Sequence, residues 1–293
     1  MKRSVLIHAG THKTGTTSLQ MLFTRNRAEL LDRGIMYPET GIWAGATESD
    51  SHSNIAWELM GHALFDARSG TLDDLIDEIV ASDCEKVLLS SEEFSCLFAN
   101  PERLHQLKAR LENSGFVPHV ALTLRDVHEY AQSLYVTLAS YAFEMSYAEY
   151  SELVATERKV TFRQNTYCFD YGLLIGTFAE AFGADAVTCI DYDPHDAVSP
   201  LLEAHDWFFE GALDGAELDL KCNTTMSRVE ELQRRVAVRQ ERIDGLEAEI
   251  LRLESELHGT NVTLDWFKSA LAASQDSFGR RVLRALRSAM DRR

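Results

Sequence analysis

The run Val5-Leu6-Ile7-His8-Ala9-Gly10-Thr11-His12-Lys13-Thr14-Gly15-Thr16-Thr17-Ser18 limits what this chain can fold into more than any other stretch. An apolar segment passes into a loop of small and hydroxyl residues, and helical spacing begins near Ser18. A strand, a small-residue loop and a helix N-terminus gather several backbone N–H groups on one spot, which is an anion cradle. Gly10 and Gly15 allow close backbone approach, and Lys13 adds a positive charge. Thr14, Thr16, Thr17 and Ser18 add hydroxyl donors. The expected ligand carries a phosphate.

The order of residues narrows the phosphate. In the nucleoside-triphosphate P-loop the lysine follows the second glycine, whereas here Lys13 precedes Gly15. Lys13-Thr14-Gly15-Thr16-Thr17-Ser18 after a first strand resembles the 5′-phosphosulfate loop of sulfotransferases that use 3′-phosphoadenosine 5′-phosphosulfate. The stretch from His8 to Gln20 looks especially like the bacterial, carbohydrate-type branch of that family. The resemblance implies a P-loop-like α/β fold, a phosphosulfate donor held by residues 13–18, and no metal.

A second station follows the run Leu122-Thr123-Leu124. Arg125 stands at the end of this apolar segment, and Ser133 lies about two helical turns further on. A guanidinium supplies the fork of donors that a phosphate dianion needs. The spacing is similar to the family's 3′-phosphate site, which implies that Arg125 and Ser133 grip the ribose phosphate. The plain alternative is a strand-end arginine and a helix-surface serine.

Leu88-Leu89-Ser90-Ser91-Glu92-Glu93 is the third station, again at a strand end. Sulfuryl transfer to a hydroxyl needs a base within hydrogen-bond reach of the attacking oxygen. Related sulfotransferases place a glutamate or histidine at a comparable strand end, and Glu92 is the match, with Glu93 expected to point away. The other reading of Glu92 is a cap on the following segment. His52, just before a helix, is the rival base, since imidazole titrates near neutrality. His8 is read as packed on its strand and His12 as shaping the turn. The catalytic candidates are therefore Lys13, Glu92 and His52.

Apolar runs at 86–91, 117–124 and 187–192 alternate with helical spacing over 18–32, 55–67, 72–82, 101–113, 126–143 and 171–182. Ile35-Met36-Tyr37-Pro38 reads as a short extended piece, and 41–53 and 141–164 as loops that shape the acceptor pocket. The alternation predicts an α/β fold with a mostly parallel sheet flanked by helices. The division read from the sequence is a catalytic domain at 1–222, a coiled-coil helix at 223–259 and a basic amphipathic tail at 260–293. Val229, Leu232, Val236, Arg239, Ile243, Leu246, Ile250, Leu253 and Leu257 form a heptad ladder, which predicts a parallel homodimer, or else a helix folded on its own domain. The basic amphipathic stretch around Phe278–Arg287 reads either as a solvated tail or as a segment that rests on an anionic membrane surface.

Net charge is −17, and residues 226–293 hold 13 Lys and Arg against 11 Asp and Glu. The preceding part therefore holds 16 against 35. So acidic a body disfavours nucleic acid or a long polyanion as partner. It suits a small or neutral acceptor, and the resemblance implies a carbohydrate or glycolipid. Five cysteines, with no C-x-x-C pair, argue for a reducing compartment and against a zinc site. No apolar run reaches membrane-spanning length, so a bacterial cytoplasm, at the inner membrane face if the tail docks, is the expected home. The competing functions are a P-loop kinase-like phosphotransferase and an inactive coiled-coil adaptor.

Overall fold

The computed structural model describes residues 3–43, 50–210, 212–213 and 252. The chain divides into two units, Met1–Thr224 and Thr225–Arg293. The predicted coiled coil and basic tail lie outside the described residues, Arg252 apart.

In chain order the first unit runs β1 (Arg3–His8), α1 (Thr16–Arg25), α2 (Arg27–Asp32), β2 (Ile35–Met36), α3 (Ser53–Met60), α4 (Leu72–Ala81), β3 (Lys86–Ser90) and α5 (Pro101–Asn113). It continues through β4 (Phe116–Leu124), α6 (Val127–Ser140), α7 (Tyr147–Glu157), β5 (Lys159–Phe162), β6 (Asn165–Cys168) and α8 (Tyr171–Phe182). The last elements are β7 (Val187–Asp191), α9 (Ser199–Ala204) and α10 (Asp206–Phe209). A 3-10 helix over Glu92–Ala99 follows β3 directly.

Five strands form one parallel sheet in the order β2-β3-β1-β4-β7. Side chains alternate across it as the strand period demands. Val5, Ile7, Val87, Leu89, Val120 and Leu122 join the core on one face, under α4, α5 and α8. Leu6, Leu88 and Ala121 join the core on the other, with Leu19, Leu22 and Phe23 of α1. Both faces are covered, and this is why the strands read as continuous apolar runs.

Connections leave the central strand in opposite directions. The chain passes from β1 outward to β2 and back to β3 on one side, then to β4 on β1's other flank. The crevice beyond the C-terminal ends of β1 and β4 is thus a topological switch point, where open parallel sheets bind ligands.

Several boundaries differ from the sequence reading, each for a local reason. The helix expected over 18–32 starts at Thr16 and breaks at Asn26, whose side chain donates to the Leu22 carbonyl at 2.8 Å. The helix expected over 55–67 stops at Met60, because Gly61 turns left-handed at φ 65° and closes it. Residues 141–164, expected as loop, contain α7, started by a Ser146–Glu149 capping box. They also supply β5, which pairs antiparallel with β6 as a small separate hairpin. Tyr150, Val160 and Tyr167 of this part bury themselves against Tyr130, Leu134 and Leu138 of α6.

Candidate active site

After His8 the chain stays beside β4 for three residues. Ala9 N–H donates to the Ala121 carbonyl at 2.8 Å and Thr11 N–H to the Thr123 carbonyl at 2.9 Å. Lys13 and Gly15 then take positive φ, 70° and 71°. Glycine adopts this conformation without penalty, while lysine does so at a cost. A Cβ on Gly15 would stand 2.6 Å from the Ala197 Cβ, so this position needs glycine twice over. Gly15 is the N-cap of α1, and no side chain caps this ten-residue helix. Its first turn carries no acidic residue. Such a terminus presents its N–H groups and the positive end of its dipole to an anion.

The threonines divide their work. Thr14 is fully buried, and its hydroxyl donates to the Thr11 carbonyl at 2.6 Å. It braces the loop from within, which corrects the expectation that its hydroxyl reaches the ligand. Thr16 is buried on the carboxylate side and hydrogen-bonds Glu92. Thr17 is exposed and Ser18 partly so, on the open side of the turn.

Arg125 stands where β4 ends and reaches this loop. Its Nη1 donates to the Lys13 carbonyl at 3.2 Å, and its guanidinium lies 5.3 Å from the Tyr192 ring centroid. Tyr171 Oη donates to the Arg125 carbonyl at 2.6 Å and fixes the backbone behind it. Glu129, one turn into α6, accepts from Arg125 Nε at 3.1 Å. Asp126 caps α6 by accepting from the N–H groups of His128 and Glu129, so the helix begins at the arginine. Ser133 lies on the buried face of α6 with Tyr130 and Leu134.

Glu92 does not cap the 3-10 helix. Ser91 does so, accepting from Glu93 N–H at 3.1 Å. The Glu92 carboxylate instead accepts from Gln20 Nε2 of α1 at 3.0 Å. Burial alone would raise its pKa, but the charge of His12 and the hydrogen bonds from Gln20, its own N–H and Thr16 bring it below the ordinary value. It is an ionised, oriented carboxylate beside the first turn of α1. Gln20 had no signal in the sequence beyond its place in the opening motif.

His52 departs from the role read for it. It is fully buried, its Nδ1 accepts from Ser90 N–H at 3.2 Å, and its Nε2 lies 3.1 Å from the Pro38 carbonyl. With Nδ1 accepting, Nε2 carries the hydrogen and donates it to Pro38. Both nitrogens are committed to backbone groups, which leaves no lone pair for an acceptor's proton. Burial pushes its pKa down to about 4. His52 is a neutral latch between the end of β3 and residue 38, not a base.

His8 is packed as expected. Its ring bridges three strand ends, with Nδ1 2.9 Å from Ser90 Oγ of β3 and Nε2 3.2 Å from Thr123 Oγ1 of β4. Burial also takes its pKa down to about 4. Glu93, expected to point away, turns inward, and its Oε1 lies 3.5 Å from His12 Nε2. Burial would lower the His12 pKa, yet the hydrogen bond and charge of Glu93, with Glu92 behind, raise it overall. The His12 ring also meets Tyr167 edge-on at 5.0 Å.

Taken together, fold and site define a parallel α/β protein in which the glycine-containing loop after β1, Arg125 and the half-buried Glu92 carboxylate meet at one switch point. No protein-family model matches the chain, and no curated protein matches it. Among solved structures, the crystal structure of a sulfotransferase from Alicyclobacillus acidocaldarius is similar over 75% of this chain and 83% of that chain, at 18% sequence identity and a TM-score of 0.41. Among the described residues no helix is long and apolar enough to cross a membrane.

Proposed function

We propose that this chain is a sulfotransferase that takes the sulfuryl group of 3′-phosphoadenosine 5′-phosphosulfate and transfers it to a hydroxyl of a carbohydrate or glycolipid. The observation that carries the reading is the hydrogen bond from Arg125 to the Lys13 carbonyl. It joins two stations that the resemblance assigns to the two ends of one nucleotide. The uncapped α1 terminus, free of acidic residues in its first turn, suits the 5′-phosphate. The acceptor class rests on the sequence resemblance.

Transfer of this kind moves the sulfuryl group in line between two oxygens, so positioning and charge stabilisation supply most of the catalysis. Glu92 takes the proton of the acceptor hydroxyl as that oxygen bonds to sulfur. Gln20 keeps the carboxylate in place while it does so. Lys13 stabilises the bridging oxygen, which departs with the 5′-phosphate when its bond to sulfur breaks. The backbone of 13–18 and the hydroxyls of Thr17 and Ser18 hold that phosphate. Arg125 and Ser133 hold the 3′-phosphate. A parallel dimer through 223–259 and contact of 260–293 with an anionic membrane belong to the same proposal, on segments outside the described residues.

Arg125→Ala tests the nucleotide clamp. Loss of a charge-assisted pair costs about 1.5–3 kcal/mol, so the dissociation constant of adenosine 3′,5′-bisphosphate should rise about tenfold to a hundredfold by calorimetry. Affinity for adenosine 5′-phosphate, which lacks the second phosphate, should fall much less, by the loss of the bond to the Lys13 carbonyl alone. An equal loss for both nucleotides, or none for either, would refute the assignment.

A further inference from the structure

We propose that His12, Glu93 and Cys96 form a binding site for a zinc-like divalent cation, with a fourth position left open. One ligand atom from each of the three lies within 4.8 Å of the others. The inference goes beyond the sulfotransferase reading and does not rest on it.

Local geometry explains the convergence. In a 3-10 helix residues three apart eclipse one another, so Glu93 and Cys96 project from one side of the helix over Glu92–Ala99. His12 comes from the opposing loop, with its ring held edge-on by Tyr167. The spacing of the His12–Glu93 pair is informative. At 3.5 Å the nitrogen and oxygen are further apart than a good hydrogen bond allows. Two ligands on a tetrahedral zinc, each bonded at about 2.0–2.2 Å, stand about 3.4 Å apart. That spacing, long for a hydrogen bond between the two side chains, also suits two ligands of one ion.

A second observation is independent of that distance. His12 Nδ1 and Glu93 Oε2, the atoms outside that 3.5 Å pair, are both buried without a hydrogen-bond partner, so each side chain also turns an unsatisfied polar atom inward. Buried polar atoms without partners are few in native proteins, and each calls for an explanation. Cys96 is 3% exposed and brings a sulfur ligand to the same place. Imidazole, carboxylate and thiolate together suit borderline zinc rather than magnesium or calcium, which prefer all-oxygen shells. Three protein ligands and one open position is the arrangement of zinc sites that accept an exogenous ligand. No paired-cysteine signature marks this site in the sequence, because its ligands lie on either side of the whole 13–92 stretch.

The test is cobalt titration of the full-length, tag-free chain after dialysis against a chelator. One equivalent should bind and produce a thiolate-to-cobalt charge-transfer band that zinc then abolishes. Cys96→Ser should remove the band, and His12→Ala and Glu93→Gln should each weaken cobalt binding by more than about tenfold. Cys189→Ser, at the exposed cysteine, should leave the band unchanged. Absence of the band, or its survival in Cys96→Ser, would overturn the site. Binding of adenosine 3′,5′-bisphosphate by each variant, measured in parallel, reports folding and the nucleotide clamp separately from the metal.

Discussion

Lys13→Ala is expected to slow formation of adenosine 3′,5′-bisphosphate from the phosphosulfate donor by about a thousandfold. Lys13 lies in the left-handed region at φ 70°, and its carbonyl is held by Arg125. Alanine at the same φ carries a similar backbone strain, and the carbonyl keeps its hydrogen bond. The substitution thus removes the ammonium while leaving the loop's course largely intact. Charge stabilisation of the leaving oxygen is an interaction that strengthens as the sulfur–oxygen bond breaks, so its loss falls on turnover more than on product affinity. Near-normal turnover in Lys13→Ala would show that the loop's backbone alone does the work.

Acid should weaken the first unit well before most carboxylates titrate. His8 and His52 are buried and neutral, each with its pKa pushed down from 6.5 to about 4 by burial. Between these values the unfolded chain binds protons that the folded chain refuses, so stability falls as pH falls. The contribution is whole above about pH 6.5 and gone below about pH 4. At pH 5 each ring should already have cost about 2 kcal/mol, or about 4 kcal/mol together, a large share of a domain's usual stability. Urea unfolding at pH 7.5 and pH 5 measures this, and His52→Gln should make the difference clearly smaller. Equal stability at both pH values would mean that the rings are not buried as described.

How much could be seen in the sequence follows from which contacts are local. β1, β3, β4 and β7 showed themselves because strands covered on both faces must be apolar throughout. The anion loop showed itself because its glycines, lysine and hydroxyls are consecutive. Arg125 was recognisable from its place after β4, although its bond to the Lys13 carbonyl joins residues far apart in the chain. The β5–β6 hairpin was hidden because Lys159–Phe162 and Asn165–Cys168 are too short to show a clear alternation. His52 misled for a different reason. A histidine before a helix has the same sequence signature whether its nitrogens face a substrate or, as here, Ser90 and Pro38. The inward turn of Glu93 onto His12 likewise depends on the pairing of β1 with β3, which sets their loops side by side.

The central claim is that one crevice clamps a nucleotide at both its phosphates, and calorimetry with two ligands tests it most directly. Adenosine 3′,5′-bisphosphate should bind the full-length chain at least about tenfold more tightly than ATP, because only the first places a phosphate within reach of Arg125. ATP binding as tightly, or more tightly, would contradict the account.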